Sequence, residues 1–212
     1  MDSIYGSYGP ALDATLNDII GRIQAYSDDM KKKTGEAAYE HLIYRIKSEN
    51  SMREKCDRKG LPQTAYSALH DIRDAIGIRI VCCFLDDIYR AIDFLKSLDG
   101  VRIVEEKDHI RHVKPNGYRS YHVILELEEP YEDVTGANPG HFYAEVQLRT
   151  IAMDFWASLE HKLRYKKDIP ADQAQQLQEE LLACATQSAQ LDNRMQEIRN
   201  QLVSRADKGN QS

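Results

Sequence analysis

Asp74 and Glu145 lie far apart in the chain, the first just before a stretch that reads as a strand and the second within another. Two carboxylates brought to one place suit a divalent cation such as Mg²⁺, which takes one or two acidic ligands and fills its remaining positions with water or phosphate oxygens. Asp74 precedes Ile76–Phe84, an apolar run rich in β-branched residues. Glu145 lies inside His141-Phe-Tyr-Ala-Glu-Val-Gln-Leu-Arg149. There Phe142, Ala144, Val146 and Leu148 form an apolar or small face, and His141, Tyr143, Glu145, Gln147 and Arg149 form the other. A strand with so polar a face either lines a cleft or lies open to water. A carboxylate flanked by Gln147 and Arg149 favours the cleft. Arg79 projects from within the apolar run after Asp74, where an unpaired cation is costly. It needs a carboxylate or the face of an aromatic base.

The segment Lys114-Pro-Asn-Gly-Tyr-Arg-Ser-Tyr-His122 adds a cation, an aromatic ring and an imidazole. Pro115 fixes φ and Gly117 tolerates positive φ, which predicts a tight turn. Beyond it Ser120–Glu128 alternates, with Tyr121, Val123, Leu125 and Leu127 on one side and Tyr118, Ser120 and His122 on the other. Tyr118 can stack on a base two pleats from His122, with Lys114 beside them. The same turn also serves as a plain connection between strands.

A third set is cationic. Ile43–Lys47 reads as a short strand on which Arg45 and Lys47 point the same way. Ser51-Met-Arg-Glu54 has the form of a capping box with Ser51 as N-cap, opening a helix that Gly60 and Pro62 close. Free N–H groups and the dipole make a helix start an anion site, and Lys55 adds a charge one turn in. No Walker A loop is present, so phosphates would be held by side chains and a helix end.

The remaining elements position these groups. An amphipathic helix carries Leu12, Leu16, Ile19, Ile20, Ile23 and Met30 and ends near Gly35, while residues 1–10 show no period and are expected to lack structure. Asp86 or Asp87 is expected to cap a helix carrying Ile88, Ile92, Leu95 and Leu98. Val101–Glu105 predicts a further strand, residues 129–140 a polar loop, and Thr150 the cap of a helix with Met153 and Trp156. Asp168 and Pro170 mark another helix start. Its Leu177, Leu181, Cys184, Ser188, Leu191, Met195, Ile198 and Leu202 alternate spacings of four and three, a heptad seam that lies on its own domain or against another subunit. The mixture of strands and helices predicts an α+β (mixed α/β) domain.

Composition narrows the function classes. A hydrophobic content of 42% and a charged content of 29% are those of a soluble globular domain, and 212 residues can bury a core without staples. No apolar run approaches the ~20 residues of a membrane span, and Met1–Pro10 has no signal-peptide pattern. Cys56, Cys82, Cys83 and Cys184 form no CxxC pair and read as buried free thiols, which predicts a cytoplasmic setting. A net charge of −6 argues against a general nucleic-acid binder, and clustered cations in an acidic chain suit a small polyanion in a pocket.

Arg45-Ile-Lys47, Ser51, Lys55, then Asp74-Ala-Ile-Gly-Ile-Arg79, then Lys114-Pro-Asn-Gly-Tyr118 with His122, then Glu145-Val-Gln-Leu-Arg149 resemble, in order, the motifs of the RelA/SpoT-type (p)ppGpp synthetase domain. Residues 156–165 resemble the same group, specifically its stand-alone small alarmone synthetases of the RelP/RelQ kind. The resemblance implies a nucleotidyltransferase-like mixed β-sheet flanked by helices over residues 36–165, with an N-terminal tail and helix (1–35) and a C-terminal oligomerisation helix and tail (166–212). It implies transfer of pyrophosphate from ATP to the 3′-hydroxyl of GDP or GTP, giving AMP and ppGpp or pppGpp. Carried over by position, Arg45 and Arg79 would sandwich adenine. Lys47, Ser51, Lys55 and Lys107 would hold ATP phosphates. Asp74 and Glu145 would bind Mg²⁺, with Glu145 aligning the attacking hydroxyl. Tyr118 would stack on guanine, Lys114 and His122 would contact the guanosine phosphates, and Gln147 would join the acceptor set. Asp154 is added as an acceptor for the guanine N1–H and 2-amino group, a donor pair that adenine lacks there.

The resemblance further implies a homotetramer built through terminal helices, with an allosteric nucleotide or RNA as a further partner and no membrane. His70-Asp71 is an isolated pair, so a hydrolase activity is not expected. His109 and His112 would need a third ligand to hold zinc. Two alternatives remain on the same fold, namely a pyrophosphotransferase acting on the 3′ end of tRNA and a non-catalytic nucleotide- or RNA-binding regulator.

Overall fold

The apolar run after Asp74 becomes β2 (Ile76–Cys82), with Ile76, Ile78 and Ile80 buried and Gly77 and Arg79 on the opposite, partly open face. That alternation, a period of two, recurs in β4 (Tyr121–Glu129) and β5 (Gly140–Thr150). With β1 (His41–Ile46) and β3 (Val101–Asp108) they form a five-stranded sheet of order β1-β2-β5-β4-β3. Only β2 and β5 run parallel; the other neighbours are antiparallel, so the sheet is mixed. The computed structural model describes residues 3–164 and 171–209.

One face of the sheet is the core. Val123, Leu125, Leu127, Phe142, Ala144, Val146 and Leu148 pack there with α1 (Gly9–Thr34), through Leu12, Leu16, Ile19 and Ile23, and with α3 (Leu85–Lys96), through Ile88, Ile92 and Leu95. The other face carries two rows of register partners. Arg79 lies beside Gln147, Gln147 beside His122, and His122 beside Lys107. The next row runs from Arg45 to Gly77, to Glu145, to Ile124 and to Glu105. The strand residues singled out as chemical, Arg45, Arg79, Lys107, His122, Glu145 and Gln147, thus share one face because they share one parity.

Several local expectations need correction. Residues 3–10 are folded: Ile4 and Tyr5 are buried, and the Tyr5 hydroxyl donates to the Lys47 carbonyl at 2.6 Å. The apolar pair is too short to show a period, yet it seals the end of the core. The N-cap of α2 (Glu49–Lys59) is Ser48, whose hydroxyl accepts from the Ser51 amide at 3.4 Å. Ser51 therefore sits inside the first turn, and the box expected at Ser51–Glu54 does not form. Phe84 precedes α3, and the Asp87 carboxylate reaches back to accept from the Phe84 amide at 3.2 Å. Ser120, expected beside Tyr118 and His122 on the polar face, is fully buried and donates to the Leu148 carbonyl at 3.2 Å. The Thr150 cap is present: its hydroxyl accepts from the Met153 amide at 3.1 Å, opening α4 (Ile151–Arg164).

The long α5 (Ala171–Gly209) rests on the domain through small and polar residues and through Leu181, which packs beside Trp156, while the C-terminal half of its apolar seam is exposed. Ala185, Ala189, Asp192 and Gln196 are buried. Asp192 accepts from Thr150 at 2.5 Å, Gln196 donates to Asp86 at 2.9 Å, and Arg199 donates to Asp87 at 2.7 Å and Glu36 at 2.9 Å. Leu191, Met195 and Leu202 of the seam are 58%, 46% and 60% exposed, and Cys184, expected to be buried with the other thiols, is exposed because this side of the helix faces away from the domain. The expected start at Asp168 and Pro170 lies outside the described residues.

Candidate active site

Asp74 stands in the loop before β2, buried, between Lys47 at the end of β1 and Lys55 in α2. Both ammonium groups bond one oxygen of its carboxylate, Oδ2. Burial works to raise this carboxyl, and the two lysines more than offset it, so Asp74 is held below its ordinary range. Its other oxygen, Oδ1, is buried and takes no hydrogen bond among the described residues. Glu145 accepts from His122 Nδ1 at 3.3 Å through one oxygen and from Gln147 Nε2 at 3.3 Å through the other. The His122 bond outweighs burial and keeps Glu145 ionised below the usual glutamate range.

Two clefts meet at these acids. The first, of about 750 Å³, is lined by Arg45, Lys47, Ser51, Lys55, Asp74, Gly77, Arg79, Glu145 and Gln147. The second, of about 720 Å³, is lined by Lys55, Lys59, His70, Asp71, Arg73, Asp74, Lys107 and Glu145. Asp74, Glu145 and Lys55 border both. Every residue expected to hold ATP except Lys107 is in the first cleft. Lys107 is in the second and pairs with Glu105.

The turn residues assemble beside Glu145. Gly117 has φ +87°, and its amide donates to the Lys114 carbonyl at 2.8 Å, closing the turn. The Lys114 ammonium lies 4.8 Å from the Tyr118 ring centre. The Tyr118 hydroxyl is 2.9 Å from His122 Nε2. The turn rests on the C-terminal helices: a Cβ at Gly117 would come within 2.5 Å of the Ala185 Cβ, and Trp156, Ala157 and Ala185 pack beside Tyr118. His109 approaches the rings of Tyr118 and His122, but no group of three metal-capable side chains forms among the described residues.

Asp154 has an engagement other than the one expected from sequence. Its Oδ1 accepts from Arg79 Nη1 at 3.2 Å and from Arg149 Nη1 at 2.9 Å. Arg79 thus has the carboxylate partner its apolar strand demanded. Arg149 is the residue that sequence reasoning undervalued. It is buried, and its Nη2 donates to the Tyr118 hydroxyl at 2.7 Å. Its parity with Glu145 and Gln147 was the available signal. Lys59, Arg73 and His161, which also border the clefts, carry no such signal, because the loops and helices that bring them there have no fixed parity with the strands.

Two clefts that meet at a pair of ionised acids, the first of them rich in cations, fit a metal-assisted transfer between phosphorylated ligands. The model for a region found in RelA / SpoT proteins matches residues 44–170. The chain is 42% identical over 171 residues to GTP pyrophosphokinase YwaC of Bacillus subtilis, covering 79% of this chain and 77% of that protein. Its fold is similar to the crystal structure of small alarmone synthetase 2 from B. subtilis, with TM-score 0.74 and 37% identity over 90% of this chain and 95% of that one. It is equally similar to small alarmone synthetase 1 from B. subtilis bound to its product pppGpp, with TM-score 0.74 and 30% identity over 90% and 93% of the two chains. With more than half of its length under the family model, the donor motifs lining the first cleft, and His122 joining the Lys114–Tyr118 turn, which borders neither cleft, to Glu145, the chain belongs to the RelA/SpoT family.

Proposed function

We propose that this protein is a stand-alone (p)ppGpp synthetase, a GTP/GDP diphosphokinase that moves pyrophosphate from ATP to the 3′-hydroxyl of GDP or GTP. The observation that carries the reading is the position of Asp74 and Glu145 at the junction of a cation-rich cleft and a second cleft of balanced charge. The 3′-oxygen attacks the β-phosphorus of ATP, the bond from that phosphorus to the α,β-bridging oxygen breaks, and AMP leaves. The hydroxyl proton passes to solvent.

Such a transfer is governed by positioning and charge neutralisation. In this assignment Arg45 and Arg79 hold adenine between guanidinium planes. Lys47, Ser51 and Lys55 receive the ATP phosphates, with Lys107 reaching in from β3. Lys114 and His122 meet the guanosine phosphates, Tyr118 stacks on guanine, and Gln147 orients Glu145 through their 3.3 Å bond. Asp154 accepts from the guanidiniums of Arg79 and Arg149 through one oxygen, Oδ1.

Asp74 and Glu145 suit Mg²⁺. One Asp74 oxygen is buried without a partner among the described residues, and both acids are held ionised. Mg²⁺ held there with ATP oxygens would neutralise charge at the phosphorus under attack. Glu145, with its carboxyl below the usual range, is a poor base and acts as ligand and aligner. The lysines now bonded to Asp74 are the same groups assigned to the phosphates, so ATP binding exchanges one anionic partner for another.

We extend the reading to assembly and setting. The exposed Leu191, Met195 and Leu202 on α5 support self-association, assigned as a homotetramer in the cytoplasm. Among the described residues no helix is long and apolar enough to cross a membrane. The test is thin-layer separation of products from γ-labelled ATP with GDP, GTP or tRNA, with Mg²⁺ or chelator. The expected result is AMP plus a 3′-pyrophosphorylated guanosine nucleotide only with Mg²⁺. Label transfer to tRNA alone, or no transfer at all, would overturn the assignment.

A further inference from the structure

Arg79 stands in the donor cleft and Tyr118 in the acceptor turn, yet only two side chains separate them. Asp154 Oδ1 takes a hydrogen bond from Arg79 at 3.2 Å and from Arg149 at 2.9 Å. Arg149 in turn donates to the Tyr118 hydroxyl at 2.7 Å. We propose that Asp154 is a positioning residue that couples the two nucleotide subsites, so that occupancy of one raises affinity for the other. The inference rests on the donor and acceptor roles proposed above.

The physical basis is a shared anion. Two guanidiniums drawn to one carboxylate oxygen repel each other, and Asp154 offsets that repulsion. Arg149 is buried, so leaving it without this anion is costly. Gln147 Oε1 also touches both, at 3.4 Å from Arg79 Nη2 and 3.5 Å from Arg149 Nη2, but as a neutral and longer contact it does not replace the charge. When Arg79 moves to stack on a purine, Asp154 must follow it or remain with Arg149. Either outcome changes how Arg149 holds the Tyr118 oxygen, and hence how the ring is presented. The ring contact of Arg149, 5.2 Å from the Tyr118 centre, ties orientation to the same cation. Asp154 touches neither transferred atom, and its effect is exerted through the two arginines.

Coupling of binding free energies is reciprocal, which gives the test. Calorimetric titration with Mg²⁺ would measure the Kd of α,β-methylene ATP with and without saturating GDP, and of GDP with and without the analogue. In the wild type each ligand is expected to tighten the other by about tenfold, equally in both directions. In Asp154→Asn the factor should fall below about twofold. The factor is a ratio, so a shift in either single-ligand affinity cancels from it. A variant that keeps the wild-type factor overturns the proposal. So does a variant that loses its preference for GDP over IDP while keeping the factor, which would make Asp154 a direct reader of guanine. If Asp154→Asn fails to fold, Arg149→Lys tests the same bridge, because one ammonium cannot hold Asp154 and the Tyr118 hydroxyl as the guanidinium fork does, and a wild-type factor in that variant overturns the proposal. A wild-type protein that binds neither nucleotide instead overturns the functional reading, and the bridge with it.

Discussion

Glu145 and Gly77 are register partners across the parallel β2–β5 pair, so the absent side chain of Gly77 leaves open floor beside the Glu145 carboxylate. Gly77 lines the first cleft between Arg45 and Glu145. A Cβ placed on it would meet only the Arg45 carbonyl, at 3.9 Å, an ordinary contact. Gly77→Val is therefore expected to fold, since a β-branched residue suits a strand, while its methyl groups occupy the space assigned to ATP. Synthesis should fall by about 10²-fold or more, as expected when reacting groups are displaced, with an unchanged circular dichroism spectrum. Full activity with the spectrum unchanged would show that the nucleotide does not lie there.

The acid itself is tested by Glu145→Gln. The amide keeps the size and can still meet His122, but it loses the charge that the His122 contact now stabilises. Loss of the carboxylate assigned to the metal should lower turnover by at least about 10²-fold, with a melting temperature close to that of the wild type. Turnover within threefold of wild type would remove Glu145 from the centre of the mechanism.

How far this arrangement was legible depends on parity. Residues on strands were placed correctly relative to each other, because alternation assigns Glu145, Gln147 and Arg149 to one face and Phe142, Ala144 and Val146 to the other. The pairing of strands was not legible. That β2 lies parallel to β5, bringing Arg79 beside Gln147, depends on contacts between segments far apart in the chain. Ser120 shows the limit of alternation at a strand entrance, where the turn rotates the chain and buries a hydroxyl against Leu148. The α2 cap was misplaced for a related reason. Ser48 and Ser51 offer the same hydroxyl, and the choice between them is made by where β1 ends.

The loop before β5 offers a pH test away from the clefts. Asp133 is buried, and burial alone would raise its carboxyl. Bonds from the Thr135 hydroxyl at 2.6 Å and from the amides of His141, Thr135 and Ala137 at 2.8, 2.8 and 3.2 Å outweigh that and bring it down to about 2. A carboxyl lowered on folding stabilises the native state fully above its unfolded pKa, about 4 for an aspartate. That contribution should fade as pH falls from about 4 toward about 2. Asp133→Ala, which leaves these donors unpaired, is expected to cost about 2 kcal/mol at pH 7, and the difference from wild type should shrink below pH 4 in urea titrations. A difference that is constant with pH would exclude the carboxylate as its source.

Gly117 links the acceptor turn to α5. Its φ of +87° is unfavourable for any residue with a Cβ, and that Cβ would lie 2.5 Å from Ala185 and 3.2 Å from Leu182. Gly117→Ala is expected to cost about 1–3 kcal/mol of stability. Because the displaced turn carries Lys114 and Tyr118, KM for GDP should rise more than KM for ATP. Pairing the change with Ala185→Gly relieves the contact but not the backbone strain, so the double variant should recover GDP affinity in part. Equal changes in both KM values would mean that the turn serves the whole fold rather than the acceptor.

The exposed seam on α5 tests the proposed assembly. Leu191, Met195 and Leu202 project from the helix at spacings of four and seven, whereas Ala189, Asp192 and Gln196 make the contacts with the domain. Charges placed on the first set therefore leave the second untouched. In Met195→Glu/Leu202→Glu the helix should stay docked through Arg199 to Asp87 and Asp192 to Thr150, while apolar burial between copies is lost and like charges face each other. Light scattering after gel filtration should show a mass below that of the wild-type assembly, with helicity retained. An unchanged mass would mean that copies meet elsewhere, and the exposed side chains of α4, Phe155 at 65% and Leu159 at 42%, would be the next surface to charge.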